Sequence, residues 1–276
     1  MKKIAIQGVK GAFHEIAAIK YFGADIETVN CVQFKHVFEL VQQGRVDYGI
    51  VAVENTIAGS ILSNYLLLKN SKVKISGEVG LHITQNLMVL PGVNMEDIKE
   101  VYSHPIAIQQ SSEFFNDYPQ FKLIEWSDTA SSAQKIAEEK LTHAAAIASE
   151  YAAELYGLQI IAPHIETHKR NYTRFMIIER RAHELPENNK ASMCFELTHA
   201  PGSLVDVLTV FKNEGLNLTK IQSLPILGKP YEYSFYVDVE WNDHKKYDKA
   251  LNMILKIVSN LSVLGEYKHD ESFNKE

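Results

Sequence analysis

Apolar residues fall in short blocks, and the period within the blocks changes along the chain. Residues 3–7 are a short apolar run ending in Gly8-Val9-Lys10-Gly11, and a helical pattern follows from about residue 13 to residue 21. Strand, glycine turn and helix in that order open an α/β unit. Gly23 stops the helix. A second helical stripe over residues 34–43 carries Val37, Phe38, Leu40 and Val41 and ends at Gly44. Residues 48–53 are almost continuously apolar, as expected of a parallel strand covered on both faces.

A second set of alternating elements begins with the apolar stretch 81–90 and its Pro91-Gly92 turn. Residues 101–103 read as strand, and 105–115 as one helix opened by proline in its first turn. Asp128 is a good N-cap for a helix reaching about residue 140. Residues 144–148 are a strand of small residues, and 150–156 a helix closed by Gly157. Asn171, Tyr172, Thr173, Arg174 and Phe175 head a further buried run to Ile178, which is expected to return to the first set.

Residues 180–190 are polar around Pro186-Glu187-Asn188-Asn189 and form the best linker candidate. Beyond them the pattern reads strand (192–198), helix (Leu204, Val207, Leu208, Phe211, then Gly215) and strand (216–226). After a Gly228-Lys229-Pro230 turn, Tyr231, Tyr233, Phe235, Val237 and Val239 alternate with polar residues, predicting a strand buried on one face. A helical stripe (Tyr247, Leu251, Ile254, Val258) and a strand at 262–267 complete βαββαβ, a ferredoxin-like order. Such a sheet is expected to keep one open face and exposed edges, which favours self-association.

Length and charge narrow the partners. A chain of 276 residues, 46% apolar, forms two or three compact units. A net charge of −6 and a pI near 6.0 leave no basic stripe to neutralise phosphates, so nucleic acid is not expected as a partner. Cys31 and Cys194 stand far apart without a partner motif, and both read as thiols of a reducing compartment. With no membrane span and no signal peptide, the expectation is a soluble cytoplasmic protein.

Candidate chemistry gathers where strands end. Thr173 and Arg174 put a hydroxyl and a guanidinium at a strand mouth, where a guanidinium can grip a carboxylate bidentately. Glu54, Asn55 and Thr56, with Gly59 and Ser60, sit at the carboxyl end of a buried strand, where ligands of open α/β sheets lie; capping of the next helix is the alternative. Ser103-His104-Pro105 with Gln109 and Gln110 occupies another strand-to-helix junction. Ser103 and His104 are neighbours on a strand and point to opposite faces, so they are not a nucleophile and its base. The first glycine turn lacks the glycines a dinucleotide fingerprint needs at positions 10 and 13, which are Lys10 and Phe13. It keeps a helix N-terminus able to receive an anion. His164, Glu166 and His168 do not follow the zinc spacing, and no metal site is expected.

Taken in order, these clusters resemble the prephenate dehydratase family over residues 1 to about 268. Gly8-x-x-Gly11-Ala12-Phe13 is similar to its glycine motif, and Val53-Glu54-Asn55-Thr56-x-x-Gly59-Ser60 to its Glu-Asn-Ser-x-x-Gly block. Ser103-His104-Pro105 with Gln110 resembles its Ser-His-Pro-Gln block, and Asn171-x-Thr173-Arg174-Phe175 its Thr-Arg-Phe signature. The resemblance implies an α/β protein with a two-lobed, periplasmic-binding-protein-like catalytic domain, followed by a ferredoxin-like ACT regulatory domain. On that basis residues 1–182 are catalytic, with lobe 1 at about 1–80 plus 169–182 and lobe 2 at about 81–168. Residues 190–270 are the ACT domain.

The implied reaction needs no cofactor: prephenate loses its ring hydroxyl and ring carboxylate to give phenylpyruvate, water and carbon dioxide. Thr173 is the candidate proton donor, relayed by Glu54, Asn55 or a water, with Ser103 and Gln110 as further catalytic groups. Arg174, Asn171, Phe175, Gly11 and Ser60 are expected to bind substrate, with the helix starts after Gly11 and Gly59 offsetting its charge; a structural salt bridge is the equal alternative for Arg174. The resemblance places phenylalanine, the effector, at Gly202, Ser203 and Leu204 and at Gln222, Ser223, Leu224 and Pro225. The family's Glu-Ser-Arg-Pro is here Gln222-Ser223-Leu224-Pro225, which removes a charge pair from that site. Ala12, Ala52 and Ile106 are further departures. A homodimer or homotetramer through the ACT domain is expected, and a monofunctional enzyme, because the first strand begins at Lys3 with no mutase helices before it. Arogenate as substrate and a binding-only amino-acid sensor are the competing readings.

Overall fold

The computed structural model describes residues 1–181, 185–198, 200–226, 228–229 and 231–274. Residues 182–184, within the expected linker and at the expected end of the catalytic domain, and Pro230 of the expected turn lie outside them.

The chain opens with β1 (Lys2–Gln7), α1 (Phe13–Phe22), β2 (Ile26–Cys31), α2 (Phe34–Gln42), β3 (Tyr48–Asn55), β4 (Gly59–Ser60), α3 (Leu62–Asn70) and β5 (Lys74–His82). It continues through β6 (Asn86–Val89), β7 (Glu100–Ser103), α4 (Pro105–Gln110), α5 (Ser112–Asn116), β8 (Lys122–Glu125), α6 (Thr129–Glu139), β9 (Ala144–Ala148), α7 (Glu150–Tyr156) and β10 (Gln159–Ala162). Next comes β11 (Tyr172–Glu179). The last stretch is β12 (Lys190–Glu196), α8 (Ser203–Glu214), β13 (Asn217–Pro225), β14 (Tyr233–Glu240), α9 (His244–Ile254) and β15 (Ser259–Tyr267).

These strands make three sheets. The first has the order β2-β1-β3-β11-β5, with β4 paired to β3. Its β1 pairs are parallel, whereas β11 runs antiparallel to both β3 and β5. The second is β10-β6-β9-β7-β8, again mixed. The chain therefore leaves the first sheet at β5, builds the second, and returns at β11 into the gap between β3 and β5. The third sheet, β13-β14-β12-β15, is antiparallel throughout, the ferredoxin-like order.

Side-chain size explains the second sheet's centre. Ala144, Ala146 and Ala148 of β9 face the core shared with α6 and α7, while Ala145 and Ile147 face another with Phe115 and Phe121. A strand of small residues lets both layers close on it.

The expected 105–115 helix is two helices. Ser111, at φ −105° and ψ 15°, breaks it, and the carbonyl of Gln110 accepts from the Thr167 N–H at 2.7 Å. β2 and α3 were not legible. In α3 the apolar residues do not share a face, since Leu62 and Leu66 are exposed while Asn64 is buried and donates to the Ala52 carbonyl. Tyr231 lies in a turn at φ +64°, outside the expected alternating strand.

The expected open face of the third sheet is also corrected. Cys194, Leu224, Tyr236, Leu264 and Tyr267 share one apolar core with Tyr65 and Leu68 of α3 and Ile75 of β5. Consequently Ser234 and Asp238, expected on the solvent side of β14, are buried, as is Tyr236 between them. The contact is tight at Gly265, where a Cβ would stand 2.0 Å from the Ile75 carbonyl oxygen.

Candidate active site

The strand pair β3–β11 organises a cavity of about 450 Å³ between the first two sheets. Thr173 stands opposite Asn55 and Arg174 opposite Glu54 in the antiparallel register. Side chains alternate across a strand, so Asn55 and Thr173 share one face and Glu54 and Arg174 the other. The pairing then slips, so that Phe175 pairs with Ala52 and Val53 is extra. This bulge lets Ala52 and Asn55, three residues apart, serve the same face. Asn55, Thr173, Phe175, Ala52 and Gln110 all line the cavity.

A chain of amides fixes the polar wall. Asn55 Oδ1 accepts from the backbone N–H groups of Ile57 (3.0 Å) and Ala58 (2.8 Å). Its Nδ2 therefore points the other way, donating to Asn171 Oδ1 at 2.7 Å and Thr173 Oγ1 at 2.9 Å. Asn171, thus oriented, donates through Nδ2 to Gln110 Oε1 at 3.0 Å. That leaves the Gln110 amide nitrogen as a donor, with only a 3.5 Å contact to Asn55 Oδ1. Because Thr173 Oγ1 accepts from Asn55, its own proton is free for a ligand. The network turns a weak neutral set into oriented donors.

Several expected residues go elsewhere. Arg174 is corrected as a substrate ligand: its guanidinium is buried among Glu78, Asp238 and the Tyr267 hydroxyl, on the face turned to the third sheet. Burial works against its charge, but Asp238, Tyr267 and Glu78 more than offset this and raise its pKa. Burial opposes the Glu78 charge too, yet Arg174, His269 and Lys190 hold that carboxyl well below its usual range. Glu54 is corrected as a proton relay, since its carboxylate pairs with Lys220 of β13 at 2.8 Å and lies 4.0 Å from Arg174. Ser60 is corrected as a substrate ligand: its hydroxyl accepts from the same Lys220 at 2.9 Å. Ser103 is corrected as a catalytic group, because it is fully buried and donates to the Ile147 carbonyl at 2.8 Å.

Asn171 and Gly11 act from behind the wall. Asn171 is fully buried and touches the cavity through its amide partners. Gly11 joins the two halves: its carbonyl accepts from Ser149 Oγ at 3.1 Å, and a Cβ there would stand 3.3 Å from Ala152. At φ +86° the position also favours glycine.

In the third sheet Gly202 caps α8 at φ 84°, with Ser203 and Leu204 in the first turn. Gln222, Ser223 and Pro225 are at least partly exposed on β13. Leu224 is corrected as an effector contact, since it is buried in the core shared with the first sheet.

Sequence reasoning missed other cavity groups, among them Gln7, His14, Gln85 and His104, and read Asp128 only as a cap. His104 caps α4 through Nδ1, which accepts from the Ile106 N–H at 3.2 Å, so its neutral ring carries the proton on Nε2. Burial lowers its pKa, against the pull of Asp128 and Glu125. The signal available was position: His14, His104 and Asp128 stand at helix starts following strands, whereas Gln7 ends β1 and Gln85 lies between β5 and β6.

The sequence profile of the family described as "Prephenate dehydratase" matches residues 4–183. The chain belongs to this family. The bifunctional chorismate mutase/prephenate dehydratase of Escherichia coli (strain K12) is 34% identical over 271 residues, 96% of this chain and 70% of that protein. Arogenate dehydratase/prephenate dehydratase 2 of Arabidopsis thaliana is 38% identical over 283 residues, 97% of this chain and 73% of that one. Among solved structures, a prephenate dehydratase from Arthrobacter aurescens in complex with L-Phe superposes with a TM-score of 0.87 at 26% identity, covering 97% of this chain and 90% of its own. GqqA, described as a novel type of quorum quenching acylase, gives 0.88 at 27%, covering 99% and 100%. The profile spans β11, so the Thr173-bearing strand and both mixed sheets fall within the prephenate dehydratase match.

Proposed function

We propose that this chain converts prephenate to phenylpyruvate. The observation that carries the reading is the Thr173 hydroxyl, held by Asn55 with its proton free, in a cavity it shares with the oriented amides of Asn55 and Gln110. The ring carboxylate leaves as carbon dioxide, and its bonding electrons enter the ring. The ring becomes aromatic as the C–O bond to the hydroxyl breaks. The departing hydroxide takes a proton from Thr173, which regains one from water. The balance is one prephenate dianion and one proton giving the phenylpyruvate monoanion, water and carbon dioxide.

The protein has little bond-making to do. Aromatisation drives the step, so the site's work is to hold the ring so that the breaking bonds align with its orbitals and to meet the hydroxide with donors. Thr173 and the Gln110 amide are those donors, and Phe175 and Phe34 supply apolar wall. The test is phenylpyruvate formation from prephenate by the purified chain, with arogenate assayed in parallel. Absence of turnover on both compounds would leave a binding-only sensor as the better reading, and preference for arogenate would change the substrate.

The domain reading goes with it. Residues 1–182 form the catalytic domain in two periplasmic-binding-protein-like lobes, and residues 190–270 an ACT domain that takes phenylalanine near Gly202, Ser203, Gln222, Ser223 and Pro225. The sheet order β13-β14-β12-β15 and the L-Phe bound to the Arthrobacter aurescens relative support this. So does Lys220, which reaches from the effector strand β13 to Glu54, the chain neighbour of Asn55. The working form is a cytoplasmic homodimer or homotetramer. Among the described residues no helix is long and apolar enough to cross a membrane.

A further inference from the structure

No lysine or arginine lines the cavity among the described residues, yet the substrate assigned above carries two carboxylates. The charge must be met by something else. α1 starts behind Ala12, which caps nothing with its side chain, and the N–H groups of Phe13 and His14 have no acceptor among the described residues. Ala12, Phe13 and His14 all line the cavity. The first-turn carboxylate of Glu15 takes the Gly11 N–H at 2.6 Å, and the N–H groups of Phe13 and His14, where a helix start concentrates partial positive charge, stay open toward the cavity side. An independent observation falls at the same place: His14 Nε2 is buried without a hydrogen-bond partner. Its ring lies 5.0 Å from Phe175 and 5.4 Å from Phe34, centre to centre. A polar atom left so in a packed site is costly unless a ligand completes it.

We propose that the first turn of α1, with the His14 imidazole beside the free N–H groups of Phe13 and His14, binds the side-chain carboxylate of the substrate. The chemistry selects that carboxylate over the one on the ring. The ring carboxylate must lose its charge as carbon dioxide departs, and fixed donors on it would stabilise the ground state more than the transition state. The side-chain carboxylate keeps its charge from substrate to product, so holding it costs nothing in the chemical step. The ring carboxylate is then left to the remainder of the cavity, whose lining includes the apolar Ile61 and Ile83. Burial pushes the His14 imidazole down to about 3, so the ring is neutral before the anion arrives.

This inference rests on the dehydratase reading, and its experiment separates the two. Phenylpyruvate retains the side-chain carboxylate and lacks the ring carboxylate, so its affinity reports on this subsite alone. Its binding is measured by titration calorimetry, together with kcat and KM for prephenate, on the wild-type chain, His14→Phe and His14→Gln. His14→Phe is expected to weaken phenylpyruvate and raise KM by about 10- to 100-fold, the worth of a hydrogen bond to a charged group. Its kcat is expected to stay within about threefold, the mark of binding shared by ground and transition states. His14→Gln, which keeps a donor, recovers part of the affinity. Wild-type affinity for phenylpyruvate in folded His14→Phe would overturn the subsite, as would a fall in kcat at constant KM. A wild-type chain without prephenate turnover would instead overturn the function on which it rests.

Discussion

Arg174 and Asp238 meet across the seam between the first and third sheets, the guanidinium of a catalytic strand paired with a carboxylate of β14. Glu78 and Tyr267 complete the guanidinium's shell, and Lys190 holds the other oxygen of Glu78 at 3.0 Å. The strand that presents Thr173 and Phe175 to the cavity is thus anchored through the residue between them. Removing one member leaves a buried charge without its partner. Asp238→Ala is expected to cost about 3–5 kcal/mol, read as a lowered midpoint in urea. An unchanged midpoint would mean that solvent reaches this cluster.

Thr173→Ala removes the only group of the cavity wall whose proton is freed by acceptance from Asn55. Turnover of prephenate is expected to fall by about 10²–10⁴, with the urea midpoint unchanged within error. Thr173→Ser keeps the hydroxyl and should retain most of the rate. Equal activity in the alanine and serine variants would remove Thr173 from the mechanism.

Asn55 is expected to matter through orientation. Asn55→Ala releases the backbone N–H groups of Ile57 and Ala58 and the amides of Asn171 and Gln110 together. The loss in kcat should therefore match or exceed that of Thr173→Ala. In the double variant the two effects should fall well short of adding, as for any pair acting as one unit.

Gly265→Ala tests the docking of the third sheet. A Cβ 2.0 Å from the Ile75 carbonyl oxygen meets backbone, which cannot turn aside as a side chain would. The substitution is expected to cost about 3 kcal/mol or more, seen as a lowered Tm. A Tm equal to that of the wild-type chain would show that β15 and β5 are not held at this distance in solution.

Acid should destabilise the protein in a way His14 makes visible. The unfolded imidazole takes up a proton near 6.5, whereas burial delays this to about 3 in the folded state. The unfolded state binds more protons in that window, so stability rises with pH from about 3 to 6.5 and is lost on acidification, by up to about 1.4 kcal/mol per pH unit. Glu78, depressed on folding, adds a loss of the same sign below its ordinary 4.5. His14→Phe should flatten the urea midpoint between about pH 5 and 6.5, where carboxylates barely titrate. An unchanged slope would show that His14 is protonated in the folded state.

Much of the architecture was legible because periodicity is a local property. The run 48–53, the helix behind Asp128 and the alanine strand Ala144–Ala148 were readable from their own residues. α3 was not, because Leu62 and Leu66 stay exposed while Asn64 turns inward to the Ala52 carbonyl. Of the site, Asn55, Thr173 and Phe175 were found as polar or aromatic residues near strand ends, and Gln110 as an amide one turn into the helix after β7. His14 and His104 were passed over, since nothing in a single helix start says that a cavity faces it.

Residue types and their spacing alone determined most of the element order and the family, and singled out the hydroxyl of Thr173 and the amides of Asn55 and Gln110 that line the cavity. Which way each of them faces was settled in three dimensions. Thr173 and Arg174 are chain neighbours, yet one serves the cavity and the other a buried ion cluster, because strand alternation sends adjacent side chains to opposite sides. What lies on each side depends on contacts between residues far apart in the chain, such as Arg174 with Asp238 and Glu54 with Lys220. A local pattern carries no record of such pairings, and only the packed chain brings them together.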